Sequence, residues 1–342
     1  MSETVKLPAK REFDFAAYVS GAAFSADGET AAFALGSGLV KLVTIADNST
    51  REVEAHNGAS LSFAPHPDGV SFVSGGDDGR LVRIGVDGSL AEIGKAQGRW
   101  IDALATHKNG GIACGVGKEI WYWAPGGTEP KKLGPHPSTI TALDFSPDGS
   151  RVAAAHYGGA SIWQVRNPAS APRKMEWKGS HVAIKYAPNA KFLATTTQDN
   201  AIHVWRLANG QDMQMAGYRT KVKTLAWTAD ARFLLSDAAD CFVCWDFSGK
   251  GPEGQPPVEY GFGDGAGMTG IVAHPDSGFV CGGFENGALR LGDMDSRRDL
   301  ELRAPADIQK PIRAMAWSPD GWRIAAGAED GYAVVFDLKN KS

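Results

Sequence analysis

Eight times along the chain, a short alternating run ends in a bulky or apolar residue and is followed at once by a turn. The clearest copy is residues 140–163, ITALDFSPDGSRVAAAHYGGASIW. An alternating run leads to Phe145, Ser146-Pro147-Asp148-Gly149 is a tight turn, Val152 to Ala155 is a small apolar run, and Gly158-Gly159 is a second turn before Trp163. With Phe145 as the anchor, the corresponding residues elsewhere are Phe24, Phe63, Thr106, Tyr186, Trp227, Ala273 and Trp317. Seven steps cover 293 positions, about 42 residues apiece. Strand-length runs recurring at about 40–45 residues predict an all-β propeller of four-stranded antiparallel blades. No such unit buries its apolar faces alone, so the copies must stack on one another.

The second half of each unit repeats too. GGDDGRLVRI, TQDNAIHVW, FENGALRLGD and AEDGYAVVFD each place a turn before a short strand. Asp78-Gly79, Asn286-Gly287 and Asp330-Gly331 supply the positive φ of a two-residue hairpin. Eight anchors predict eight blades in one domain spanning 1–342. Seven blades are the alternative, should the degenerate third unit or the Gly/Pro-rich stretch before Met268 fall short of a blade. The chain runs out after a third strand at Asp337, so residues 11–15, REFDF, are expected to close the ring as the outer strand of the last blade. Residues 249–267 are the longest irregular connection, read as an outer strand at Val258-Glu259-Tyr260 between long loops, with recruitment for binding as the sharper alternative.

Composition excludes several classes. Net charge is −4 over 342 residues, which gives no general attraction to nucleic acid or to an anionic membrane. No run approaches the roughly 18 apolar residues of a membrane span. The first residues lack the apolar core of a secretory signal. The four cysteines, Cys114, Cys241, Cys244 and Cys281, are too few for a disulfide framework in a chain this long. Cys241 and Cys244 form a C-x-x-C, but on a strand i and i+3 face opposite sides and do not chelate one metal. Reduced thiols place the protein in the cytoplasm.

Phe145-Ser146-Pro147-Asp148-Gly149, Trp317-Ser318-Pro319-Asp320-Gly321, Trp245-Asp246 and Phe336-Asp337, in register over nearly the whole chain, resemble the WD-repeat β-propeller family, with degenerate, bacterial-looking repeats. The family's Gly-His is nearly absent: His136 stands nine residues before Phe145 but follows Pro135, and its turn, His156-Tyr157-Gly158-Gly159, lacks the usual Asp. The family's His–Asp–Ser–Trp network is therefore expected to be incomplete in every blade, with apolar packing around Trp163, Trp205 and Trp245 carrying more of the stability.

No chemistry emerges from the motifs. There is no phosphate-binding fingerprint, no nucleophile elbow and no helical histidine pair. His66, His107 and His274 recur in equivalent turns and read as solvated turn residues. Asp68, Asp148, Asp230 and Asp320 read as turn formers. What remains is a surface. The resemblance implies that the loops before each inner strand and the hairpins before each third strand share the face used for protein contact. Carried over by register, the contact candidates are Tyr18, Trp100, Lys221, Asp102, Lys223 and Arg313 on the loops, and Asp77, Gln198, Glu285 and Glu329 on the hairpins. Trp100 beside Arg99 is the most suggestive pair. Arg219, Lys221, Lys223 and Arg313 would form a basic arc for an acidic segment of a partner. The expected function is a non-catalytic scaffold that binds one or more proteins, with no cofactor, no metal, no nucleic acid or membrane partner, and a monomeric state. The competing reading is an enzyme or small-molecule binder using the axial channel, where Asp102 and Thr141 would have to converge.

Overall fold

The alternation becomes strand after strand in the computed structural model, which describes residues 8–167, 169–249, 251–306 and 310–339. Residues 1–7, 168, 250, 307–309 and 340–342 lie outside that set. Among the described residues there are thirty strands and no helix. The inner strands are Val19–Phe24, Ser60–Pro65, Leu104–Thr106, Ala142–Phe145, the second half of Arg173–Tyr186, Leu225–Trp227, Met268–Ala273 and Ile312–Trp317. Each contacts the next, and the last returns to the first, so they ring a central axis.

The turn after each inner strand explains why the repeat needs its residue types. Ser146 donates through Oγ to Asp148 Oδ1 at 2.6 Å and accepts from the Arg151 amide at 3.0 Å. Ser25, Thr228 and Ser318 make the same pair of bonds with Asp27, Asp230 and Asp320. Each hydroxyl thus satisfies an amide that the strand ladder leaves free. In the second, third and seventh units a histidine takes the serine's place. Nδ1 of His66, His107 and His274 accepts the amide of Asp68, Asn109 and Asp276. That fixes the tautomer, so Nε2–H of His107 donates to Pro147 O and Nε2–H of His274 to Gly321 O, both at 3.1 Å. These two are not solvated turn residues, as the sequence suggests. They pin one unit to the next.

Apolar side chains alternate between the two sides of every sheet and meet those of the neighbour. Between the first and second units, Val40, Leu42 and Val53 pack on Phe72, Val82 and Ile84. A fully buried side chain such as Phe72 contributes about 2–3 kcal/mol through this burial. Cys241 faces the cluster shared with the fifth unit and Cys244 the one shared with the seventh, so the C-x-x-C splits across the sheet.

Ring closure joins distant parts of the chain. Ala9–Asp14 pairs antiparallel with Tyr332–Asp337. Gly331 makes the hairpin there at φ 96°, where an added Cβ would lie 2.7 Å from the Ala16 and Ala17 nitrogens. The buried Arg323 donates to Gly28 O at 3.0 Å and ties the eighth unit to the first.

The sheets number seven, six with four strands and one with six. Counted as continuous sheets, the propeller has seven blades where eight are expected. The cause is neither suspect unit. The third unit forms a four-stranded sheet from Leu104–Thr106 to Lys131–Leu133, and the sixth gains its outer strand at Val258–Tyr260. Instead the fourth and fifth units are fused. Arg151–Gln164 folds back on itself at Gly158 and Gly159, and Val165 N donates to Ser150 O at 3.1 Å, as Val86 N does to Val70 O. Ladder bonds nonetheless continue over the turn, because Tyr157 pairs with Ser180. The fourth unit's outer strand then runs unbroken into the fifth unit's inner strand as Arg173–Tyr186.

Candidate functional site

The leading loops and the hairpins meet at one end of the ring. The hairpin amides of Asp77, Gln198, Glu285 and Glu329 donate to Ala59, Ser180, Gly267 and Pro311 carbonyls at the entries of their own units' inner strands. The four hairpin candidates therefore sit at the same end of their units. The expected contact residues do not form one site.

Four of them converge. Lys221, Lys223, Glu285 and Arg313 line a groove of about 1020 Å³ at the seam between the sixth and seventh units. Arg219 joins them on its wall, so the basic arc exists, but not as four free cations: Arg313 Nε donates to Glu329 Oε1 at 2.6 Å. Tyr18, whose hydroxyl titrates above its usual range because of burial, sits in the fields of Arg313 and Glu329. Among the described residues, Arg219, Lys221 and Lys223 make no direct ion pair, though the Lys223 charge bears on the nearby Asp237.

The other candidates lie apart. Arg99 lies over Gly117 in the third unit, and Trp100 beside it is 66% exposed. Asp77 stands by Gly58 in the second unit and Gln198 in the fifth. Asp102 points instead to the axial cavity, of about 810 Å³. Thr141 also borders that cavity, but its Oγ1 contacts the His181 and Ala155 carbonyls at 2.6 and 3.1 Å, so it does not converge with Asp102 on a ligand. Asp144 there is held by the Tyr186 amide at 2.7 Å and Lys185 at 3.6 Å.

The groove also contains residues that the repeat register passes over. Its far wall comes from the 249–267 connection, with Pro257, Glu259 and a half-exposed Phe262. Asp237 is buried beside it; its Oδ1 accepts the Lys223 and Thr224 amides at 2.8 and 3.1 Å. Burial raises its carboxyl to about 6 against those two bonds. Ala238 next to it holds φ 75°, a left-handed conformation that costs a residue with a Cβ about 1 kcal/mol. Tyr218 accepts Trp245 Nε1–H at 2.8 Å and bonds Ser236 Oγ at 2.7 Å. The length of 249–267 signals Phe262 in the sequence. Nothing there signals Asp237, because SDAAD departs from the turn pattern of the other units.

The expected network is present in fragments. Trp163 donates to His136 Nε2 at 3.0 Å, leaving Nδ1–H for Lys118 O. In the second unit His56 joins Asp78 and Ser74 at 3.0 and 2.9 Å, and Ile84 stands where the tryptophan would be. In the sixth, Tyr218 replaces the histidine.

The groove brings together the cations of Arg219, Lys221 and Lys223, the carboxyls of Asp237, Asp240, Glu259 and Glu285, and an aromatic rim at Phe262. The thiol of Cys241 is buried and raised to about 12, far from a nucleophile's range. Among the described residues no three His, Cys, Asp or Glu side chains are placed to hold a metal ion, and no helix is long and apolar enough to cross a membrane.

Residues 47–82, 127–164 and 174–206 match the WD domain, G-beta repeat family, so the WD-repeat resemblance holds in those units. Curated relatives include meiotic recombination protein rec14 of Schizosaccharomyces pombe, 26% identical over 40% of this chain and 47% of that protein. Protein HIR1 of Kluyveromyces lactis is 21% identical over 55% of this chain and 26% of its own length. The chromatin assembly factor 1 subunit FAS2 homolog of Oryza sativa is 24% identical over 58% and 38%. The matches span less than half the length of each of these relatives. All three are eukaryotic, and nothing in them supports the bacterial character suggested by the repeats.

Proposed function

We propose that the protein is a non-catalytic interaction platform, and that it holds an extended, acidic segment of a partner protein in the groove between its sixth and seventh units. The observation that carries this reading is the groove's wall. Arg219, Lys221 and Lys223 line the groove without ion pairs among the described residues, and so does an exposed aromatic ring at Phe262. A partner's carboxylates neutralise the first, and an apolar side chain covers the second. The rigid ring fixes both walls before binding, which lowers the ordering cost of association. The name of the rice relative, a subunit of an assembly factor, fits a role inside a complex. Four buried, unpaired cysteines fit work in a reducing compartment such as the cytoplasm. Trp100 and Arg99 serve as a second contact on the same face. We also read the six-stranded sheet as two blades joined at Arg173–Tyr186, each with its own inner strand in the ring.

The test is retention of a stoichiometric partner by wild type and by the variant Arg219→Glu, Lys221→Glu, Lys223→Glu, matched for thermal unfolding. The reading predicts loss of that partner from the variant, with wild-type retention falling as salt rises. Equal retention by both proteins would move the site off this wall.

A further inference from the structure

Four of the chain's eight histidines lie in one buried row across the fused fourth and fifth units. His136 and His156 rings are 5.5 Å apart, and His181 and His203 rings 6.5 Å apart. The register that pairs Tyr157 with Ser180 brings His156 and His181 side by side. All four are buried, His181 and His203 completely. We propose that this row makes the seam between the fourth and fifth units an acid-sensitive joint, which loosens as the row takes up protons while the rest of the ring stays shut.

The surroundings favour neutral rings. His136 is occupied by Trp163 and the Lys118 carbonyl, and the neighbouring ring of His156 opposes its charge. His156 bonds Ser161 Oγ at 2.8 Å and the Tyr157 carbonyl at 2.9 Å. The one charge bearing on it is Lys174, from the outer strand, which also disfavours protonation. Glu176 and Lys178 on that strand are exposed. His181 meets Thr195 Oγ1 and the Trp177 carbonyl, with no carboxylate bearing on it; Asp199, on the next hairpin, lies beside Gly179. His203 is stacked 4.1 Å from Trp177 and meets Trp205 edge-on at 4.6 Å. Its Nε2 lies 3.2 Å from Asp212 Oδ2, yet neither ring nitrogen has a hydrogen bond among the described residues. Asp212 is thus the row's one opposing carboxylate, and it is half out in solvent.

Burial lowers all four from 6.5, His203 to about 4. The sign follows. A ring that is neutral when folded and charged when released stabilises the joint above about pH 6.5, and that stability is lost as pH falls towards 4. Each such ring changes the opening equilibrium by up to about tenfold per pH unit. The outer strand beside the row crosses from one unit to the next without a loop, so release of the row is felt on both sides.

Hydrogen exchange of the whole protein at pH 7 and pH 5, corrected for the intrinsic exchange rate, tests this directly. The proposal expects peptides from 151–206 to open at least about tenfold more often at pH 5, with little change in peptides from 19–54. Acceleration spread evenly over all units, or none in 151–206, would overturn it. A second arm compares His156→Gln with His203→Phe, which keep the Ser161 bond and the aromatic stack respectively. Each should reduce the pH effect at the seam. An undiminished effect in both folded variants would also overturn it, and if either fails to fold the wild-type exchange decides.

Discussion

Tyr218 sits nine residues before Trp227, where His136 sits before Phe145, and it does part of a histidine's work with a hydroxyl. It is acceptor for Trp245 and partner for Ser236 at once. Tyr218→Phe leaves both unpaired in a largely buried setting and should cost about 1–3 kcal/mol, read as a lower urea midpoint at unchanged slope. Asp237 behaves in the opposite way. Its folded value, about 6, lies above the ordinary 3.8, because burial outweighs two amide bonds. Its stabilising contribution is therefore full below about pH 4 and is lost as pH rises through 6. Asp237→Asn, which resembles the protonated acid, should stabilise the protein by about 1–3 kcal/mol at pH 7 and leave it unchanged near pH 4. Unfolding curves at the two pH values check both size and sign. A natural residue that weakens the fold at neutral pH is one more reason to look for function in that groove.

At the scale of strands, closure depends on Ala9–Asp14. Besides its ladder with Tyr332–Asp337, Glu12 accepts the Tyr332 hydroxyl at 2.7 Å, and Phe13 and Phe15 pack against the core between the eighth and first units. A variant lacking residues 1–14 exposes the edge of Tyr332–Asp337. It should unfold at a temperature lower by several degrees and self-associate, as light scattering would show. Strands and turns were legible because alternation and S-P-D-G chemistry are local. The fused sheet was not. His156-Tyr157-Gly158-Gly159 reads as an ordinary turn, and only the distant partner Ser180 turns it into a ladder. The two bridging histidines were hidden for the same reason: His107 looks solvated until Pro147 of the next unit is in place. The groove was half legible. Register found Lys221, Lys223, Glu285 and Arg313, and chain length marked the 249–267 connection, but their meeting is a property of the ring.

For the whole molecule, eight repeat units hold a rigid face with uneven chemistry. One seam carries a cationic wall and an aromatic rim, another a row of neutral histidines. The central claim is that the first of these is where a partner docks. The most direct measurement places a photo-crosslinking amino acid at Phe262 in one variant and at Trp322, an exposed ring outside the groove, in another. We predict an adduct with one protein from position 262 and none from 322, and loss of that adduct when Lys221 and Lys223 are changed to Glu. An adduct formed only from 322, or one from 262 that survives the charge reversal, would contradict the account.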